Sequence, residues 1–110
     1  MAVRLDKAWT ALTAENLQPV KGQLGVYQLG SETEGVTFIG VADARSLFGL
    51  KGELNRCLEE GRGPSFRLEV TTAYSTRYRE LLMVHFADHG EYPRDNDPAT
   101  LPRLGRLSPG

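Results

Sequence analysis

Cysteine is nearly absent from this 110-residue chain: Cys57 stands alone, so no internal disulfide can form. Long apolar runs are missing too, and nothing approaches the roughly 20 residues that a bilayer-spanning helix needs. The first fifteen residues carry Arg4, Asp6, Lys7 and Glu15 among apolar ones, which does not read as a secretion signal. These absences predict a cytoplasmic protein with no membrane partner. No charge of one sign dominates either. Thirteen basic residues face fourteen acidic ones, a net charge of −1. Strong non-specific binding to nucleic acid draws on phosphate neutralisation by Lys and Arg, so this balance argues against it while leaving room for a local basic groove. Lysine is scarce. Ten of the thirteen basic residues are Arg, the side chain suited to paired contacts with carboxylate or phosphate.

What is present is a single domain's worth of ordinary globular sequence, 40% apolar and 25% charged. Leu5, Ala8, Trp9 and Leu12 recur at helical spacing, so a short helix or an irregular cap precedes Thr13, with Trp9 packed on a sheet. Pro19 and Gly22 break the chain before a strand near Leu24 to Leu29. There Leu24, Val26 and Gln28 face one side, and Tyr27 and Leu29 the other. The turn formers from Ser31 to Gly35 lead to a second strand near Val36 to Val41, which places Tyr27 and Phe38 on adjacent antiparallel strands. Asp43 is available as a cap in the loop that follows. Leu50, Leu54, Cys57 and Leu58 mark an amphipathic helix. Gly52 lies inside it, so either that helix starts late or something packs closely there. After Gly61 to Pro64, the alternation from Phe66 to Thr72 is a third strand. Ser75 is placed to cap a helix from about Thr76 to His89, with Tyr78, Leu81, Leu82, His85 and Phe86 as its buried stripe and Gly90 as its stop. From Pro98 onward, Pro102, Gly105, Pro109 and Gly110 predict an extended or frayed tail. The expected fold is α+β: one domain over residues 1–97, with a small three-stranded, mainly antiparallel sheet flanked by helices, and a tail over 98–110.

Two tripeptides in that order, Gly25-Val26-Tyr27 and Phe38-Ile39-Gly40, resemble the signature of the GIY-YIG nuclease superfamily. Glu80 in the last long helix and Asn96 shortly after Pro93 extend the resemblance over roughly Leu24 to Asn96. The chemistry it implies is metal-assisted hydrolysis of phosphodiester bonds. Tyr27 would orient or activate the attacking water, and Glu80 would hold one Mg²⁺ or Mn²⁺, hard cations suited to carboxylate and water oxygens. Asn96 would buttress the site, while Phe38, Gly40 and Arg45 would line the substrate groove.

The same resemblance exposes departures. Phe38 keeps the ring of the second signature tyrosine but loses its hydroxyl. In the first helix the family carries an arginine and, one turn later, a histidine; here Glu53 and Cys57 fall at those positions. A carboxylate repels the scissile phosphate, and either Lys51 or Arg56 is close enough in sequence to replace the cation. Two functions follow as expectations. One is a catalytically impaired domain that binds nucleic acid or a protein; the other is an active, divalent-metal-dependent endonuclease. Bland readings stand beside the site residues: Tyr27 as a half-buried strand residue, Glu80 paired with Arg77, Asn96 as a turn residue. His85 and His89, spaced i, i+4, can chelate a transition metal, though His89 near the helix end is more simply a favourable dipole contact. Cys57 on an apolar stripe reads as an inert core thiol.

Overall fold

In the computed structural model, which describes residues 4–101, four strands form one antiparallel sheet. They are β1 (Thr10–Ala11), β2 (Gly25–Ser31), β3 (Gly35–Ala42) and β4 (Ser65–Val70), in the spatial order β1-β4-β2-β3. The helices are α1 (Ala14–Leu17), α2 (Gly49–Glu59) and α3 (Tyr74–His89), and a 3₁₀ turn covers Pro98–Thr100. The expected α+β class is what forms. None of the helices is long and apolar enough to cross a membrane among the described residues.

The hairpin of β2 and β3 follows from its turn. Ser31 Oγ accepts from Glu34 N at 3.0 Å, and Gly35 takes the left-handed backbone (φ 72°) that a side chain would resist. Beyond a register shift between Leu29 and Gly30, Tyr27 stands opposite Gly40 and Leu29 opposite Phe38. Alternation along β2 then divides the core. Tyr27 and Leu29 pack with Leu50, Leu54 and Cys57 of α2, whereas Val26 and Ile39 pack with Leu81 and Leu82 of α3. The two long helices therefore cover opposite faces of the sheet.

Three boundaries differ from the sequence reading. The sheet gains a fourth, two-residue strand at Thr10 and Ala11, and residues 4–9 before it are irregular, the second of the two forms expected there. Leu5 belongs to the α3-side core and Leu12 to the α2-side core, so the chain wraps the sheet edge. One helix face cannot serve both. Trp9 does reach the sheet, with the Arg67 guanidinium 4.2 Å from its ring centre. Asp43 caps no helix: its carboxylate accepts from Arg45 N at 2.9 Å inside the loop, and α2 begins later, at Gly49. Ser75 is likewise inside α3. Thr71 Oγ1 accepts from Ala73 N at 3.0 Å, and Ala73 is the residue that precedes the helix. Gly90 ends α3 as expected, in the left-handed region at φ 75°.

The chain after α3 is tied to the sheet through Asn96. Leu101 packs on the α3-side core, so the first part of the expected tail lies on the domain. Pro102, Gly105, Pro109 and Gly110 lie outside the described residues.

Candidate functional site

Tyr27 sits in β2, which is paired on both sides, and its ring points at α2. Only 1% of it is exposed. The ring lies across Gly40 of β3, and a Cβ built on Gly40 would run into the ring and its hydroxyl. Gly40 thus earns its place by lacking a side chain. Phe38 completes the aromatic pair, its ring centre 6.0 Å from that of Tyr27.

Helix α2 supplies the polar neighbours. Glu53, Arg56 and Cys57 are spaced i, i+3 and i+4, so one helix face carries all three. Tyr27 Oη donates to Glu53 Oε1 at 3.3 Å, and Cys57 Sγ lies 3.9 Å from the same hydroxyl. Arg56 in turn holds Glu53 at 2.8 Å. Burial pushes the Tyr27 phenol far above its ordinary range, and the acidic neighbours Cys57 and Glu53 push it further. Burial also raises the Cys57 thiol, opposed by its contact with Tyr27 and by Arg62 and Arg56. At neutral pH both groups keep their protons. Such a corner can donate and accept hydrogen bonds, but it holds no ready general base in the phenol.

A cation does approach from a residue that the sequence reading passed over. Arg62 lies with its guanidinium 4.1 Å from the Phe38 ring centre. The end of α2 places it there. Gly61 takes φ 67°, Gly61 N donates to Leu58 O at 3.1 Å, and Arg62 N donates to Cys57 O at 2.9 Å. This is the Schellman arrangement, which folds the chain back across the helix end. An Arg between two glycines, Gly61 and Gly63, was the available signal.

The other expected site residues are dispersed. Lys51 Nζ donates to Gln18 O at 3.2 Å, turning toward α1. Arg45 projects into solvent from the loop before α2, its guanidinium 3.6 Å from Asp43. Glu80 is bonded to Arg77, which also holds Glu69 of β4 at 3.0 Å. Glu69 stands opposite Val26, so this triad lies on the α3 face, across the sheet from the side chain of Tyr27. Glu80 and Glu69 offer the hard oxygens that Mg²⁺ takes, but the guanidinium already occupies them. The three side chains form an ion-pair triad. Among the described residues, no three His, Cys, Asp or Glu side chains are grouped to hold a metal.

Asn96 does act as a brace. Its Oδ1 accepts from Ile39 N and its Nδ2 donates to Ile39 O, both at 2.9 Å, while Asp95 N donates to Thr37 O at 2.9 Å. The side-chain amide mimics a further strand and closes part of the β3 edge. His85 and His89 have ring centres 4.4 Å apart, and His85 Nδ1 lies 2.9 Å from Glu91 O.

The structure therefore brings together Tyr27, Phe38, Gly40, Glu53, Arg56, Cys57 and Arg62, ties Asn96 to Ile39 between Phe38 and Gly40, and leaves Lys51 and Glu80 elsewhere on the domain. No curated protein and no solved structure matches the chain. A family model does match, over residues 3–88. The chain belongs to that family, described as a domain of unknown function, DUF7508.

Proposed function

We propose that this chain is a GIY-YIG-like domain that has lost phosphodiester hydrolysis and serves in the cytoplasm as a binding module. One observation carries the reading: the Tyr27 hydroxyl is enclosed beside Glu53 and Cys57, where the resemblance calls for an arginine and a histidine. Transition-state charge on phosphate needs oriented cations or donors, and losing one such group typically lowers the rate about 100–1,000-fold. A carboxylate there is worse than a vacancy, because it repels the phosphate. Glu80 adds to the case, since a metal would have to displace Arg77 from it.

A second reading is favoured by a single contact, the Arg62 guanidinium over Phe38. If Arg62 supplies the missing cation, the domain is an active, Mg²⁺- or Mn²⁺-dependent endonuclease.

Labelled single- and double-stranded DNA and RNA, incubated with Mg²⁺ or Mn²⁺, separate the two. The expected result is no cleavage above that of Glu80→Gln. Replacing Glu53 by Arg, Phe38 by Tyr and Cys57 by His together should yield at most weak activity, because the supporting contacts are missing. Robust metal-dependent cleavage by the wild type, lost in Glu80→Gln and in Arg62→Ala, would overturn the impaired reading and establish the second.

A further inference from the structure

We propose that the cavity between α3 and the sheet binds a small organic monocarboxylate, with its charged end on Arg67 and Gln28 and its apolar body in the remaining space. The site lies across the sheet from the side chain of Tyr27, so it stands apart from the binding-module reading of the α2 face. The cavity holds about 200 Å³, and Leu5, Val36, Leu81 and Val84 supply its apolar wall. A cavity of roughly 150 Å³ takes a benzene ring, so this one has room for a ring or a short branched chain with a carboxylate attached.

Gln28 is the first sign that the cavity suits a polar group. It follows Val26 on the α3-facing side of β2, within an otherwise apolar core, and only 4% of it is exposed. Arg67 stands opposite it in β4, and Arg67 Nε donates to Gln28 Oε1 at 2.7 Å. That bond fixes which way the amide points. Gln28 Nε2 is then a donor with no partner among the described residues, in a side chain that forms part of the cavity wall. No side-chain nitrogen or oxygen among the described residues is both sealed off and unpartnered, so this nitrogen opens on the cavity. A ligand oxygen there gains a bond that no described residue supplies.

Arg67 supplies the charge. Arg4, Arg45, Arg56, Arg62, Arg77 and Arg94 each pair with a carboxylate, whereas Arg67 forms no ion pair among the described residues. Its Nη1 donates to Lys7 O at 3.0 Å, and its guanidinium lies 4.2 Å from the centre of the Trp9 ring. The fork is thus held in place with donors to spare. Burial lowers its pKa, and the charge of Asp6 opposes this only in part. The charge balance of the cavity wall is positive. Arg4 holds Asp88 through two bonds, at 2.9 and 2.6 Å, so those two cancel; His85 and His89 bring no negative charge, and Arg67 is left over. One unpaired planar guanidinium beside an amide donor matches the two oxygens of a carboxylate. A phosphate dianion fits less well, because it meets a single uncompensated cation and shares the cavity with Asp88.

Amide NMR spectra of the isotope-labelled full chain provide the test, recorded as isovalerate or benzoate is added, with isovaleramide, benzamide and inorganic phosphate as comparisons. Either carboxylate should move the Gln28 side-chain amide signals and saturate at about millimolar concentration, the range for ligands this small. The neutral amides should bind at least about tenfold more weakly, and so should the carboxylates to Arg67→Met. That variant also removes the cation over Trp9. Val84→Phe, which fills the cavity from the helix, is therefore the second variant, expected to keep the circular dichroism spectrum and lose the saturable shifts; if Arg67→Met does not fold, Val84→Phe decides. No saturable shift at Gln28 with either carboxylate would sink the proposal. Equal binding of carboxylates and amides, or binding that survives both variants, would overturn it as well. Phosphate held more tightly than both carboxylates would make the site one for inorganic oxyanions and overturn the organic ligand. Cleavage of nucleic acid bears only on the α2 face, so the two readings fail separately.

Discussion

The two faces of the sheet bury polar groups by different means. On the α3 face, Arg77 stands between Glu69 and Glu80, so the charges compensate one another and the apolar residues Val26, Ile39, Leu81 and Leu82 pack beside them. On the α2 face, the Tyr27 hydroxyl is enclosed by a thiol and a carboxylate, and cations reach it only at one remove, Arg56 through Glu53 and Arg62 across Phe38. The first arrangement is complete in itself. The second is held by shape, by the fit of a ring over a missing side chain. A face held by shape fails when its volume changes; one held by paired charge fails when a partner is removed.

The largest expected effect tests the shape. Gly40→Val would drive two methyl groups into the Tyr27 ring, and overpacking of that kind should cost about 3 kcal/mol. Urea denaturation measures it, and a loss below about 1 kcal/mol would mean that the ring moves aside easily. Next comes the brace on β3. Asn96→Ala leaves the buried N–H and C=O of Ile39 without their side-chain partners and should cost about 2 kcal/mol, read by the same method.

Arg77→Met then probes paired charge. It leaves Glu69 and Glu80 facing each other without the guanidinium. Because both carboxylates are partly in water, about 1 kcal/mol is expected. Adding Glu69→Gln and Glu80→Gln should recover much of it, and no recovery would mean that Arg77 acts through packing alone.

The smallest effect is a pH dependence on the α3 side. Burial lowers the pKa of His85, and His89 lowers it further, against its bonds to the backbone at Glu91 and Val36 and the charge of Asp88. Unfolding therefore takes up a proton. The contribution of His85 is fully present above its ordinary value of about 6.5 and is lost as pH falls below it. His85→Gln should flatten the stability profile below about pH 6.5. An unchanged slope would assign that dependence to other groups.

Part of this site was legible beforehand. Alternation from Leu24 to Leu29 is enough to put Tyr27 and Phe38 on neighbouring strands facing one way. The i, i+3, i+4 spacing is enough to put Glu53, Arg56 and Cys57 on one helix face. Arg62 was not legible, because its position depends on a helix end that folds back. Nor was the exposure of Leu47 and Phe48, since composition alone would bury them.

What the sequence by itself determined is therefore the set of elements: two hairpin strands, two long helices, a third strand, and the glycines that end them. These depend on hydrogen bonding and periodicity over a few residues, and such rules act locally. Only the tertiary structure decided which residues meet. It sent Leu5 and Leu12 to opposite cores, set Glu80 across the sheet from Tyr27, and joined Asn96 to Ile39 over 57 positions. The reason is that a strand's two faces are equivalent until something packs on them. Which helix covers which face is settled by the fit of whole surfaces, and no short stretch of sequence contains that fit.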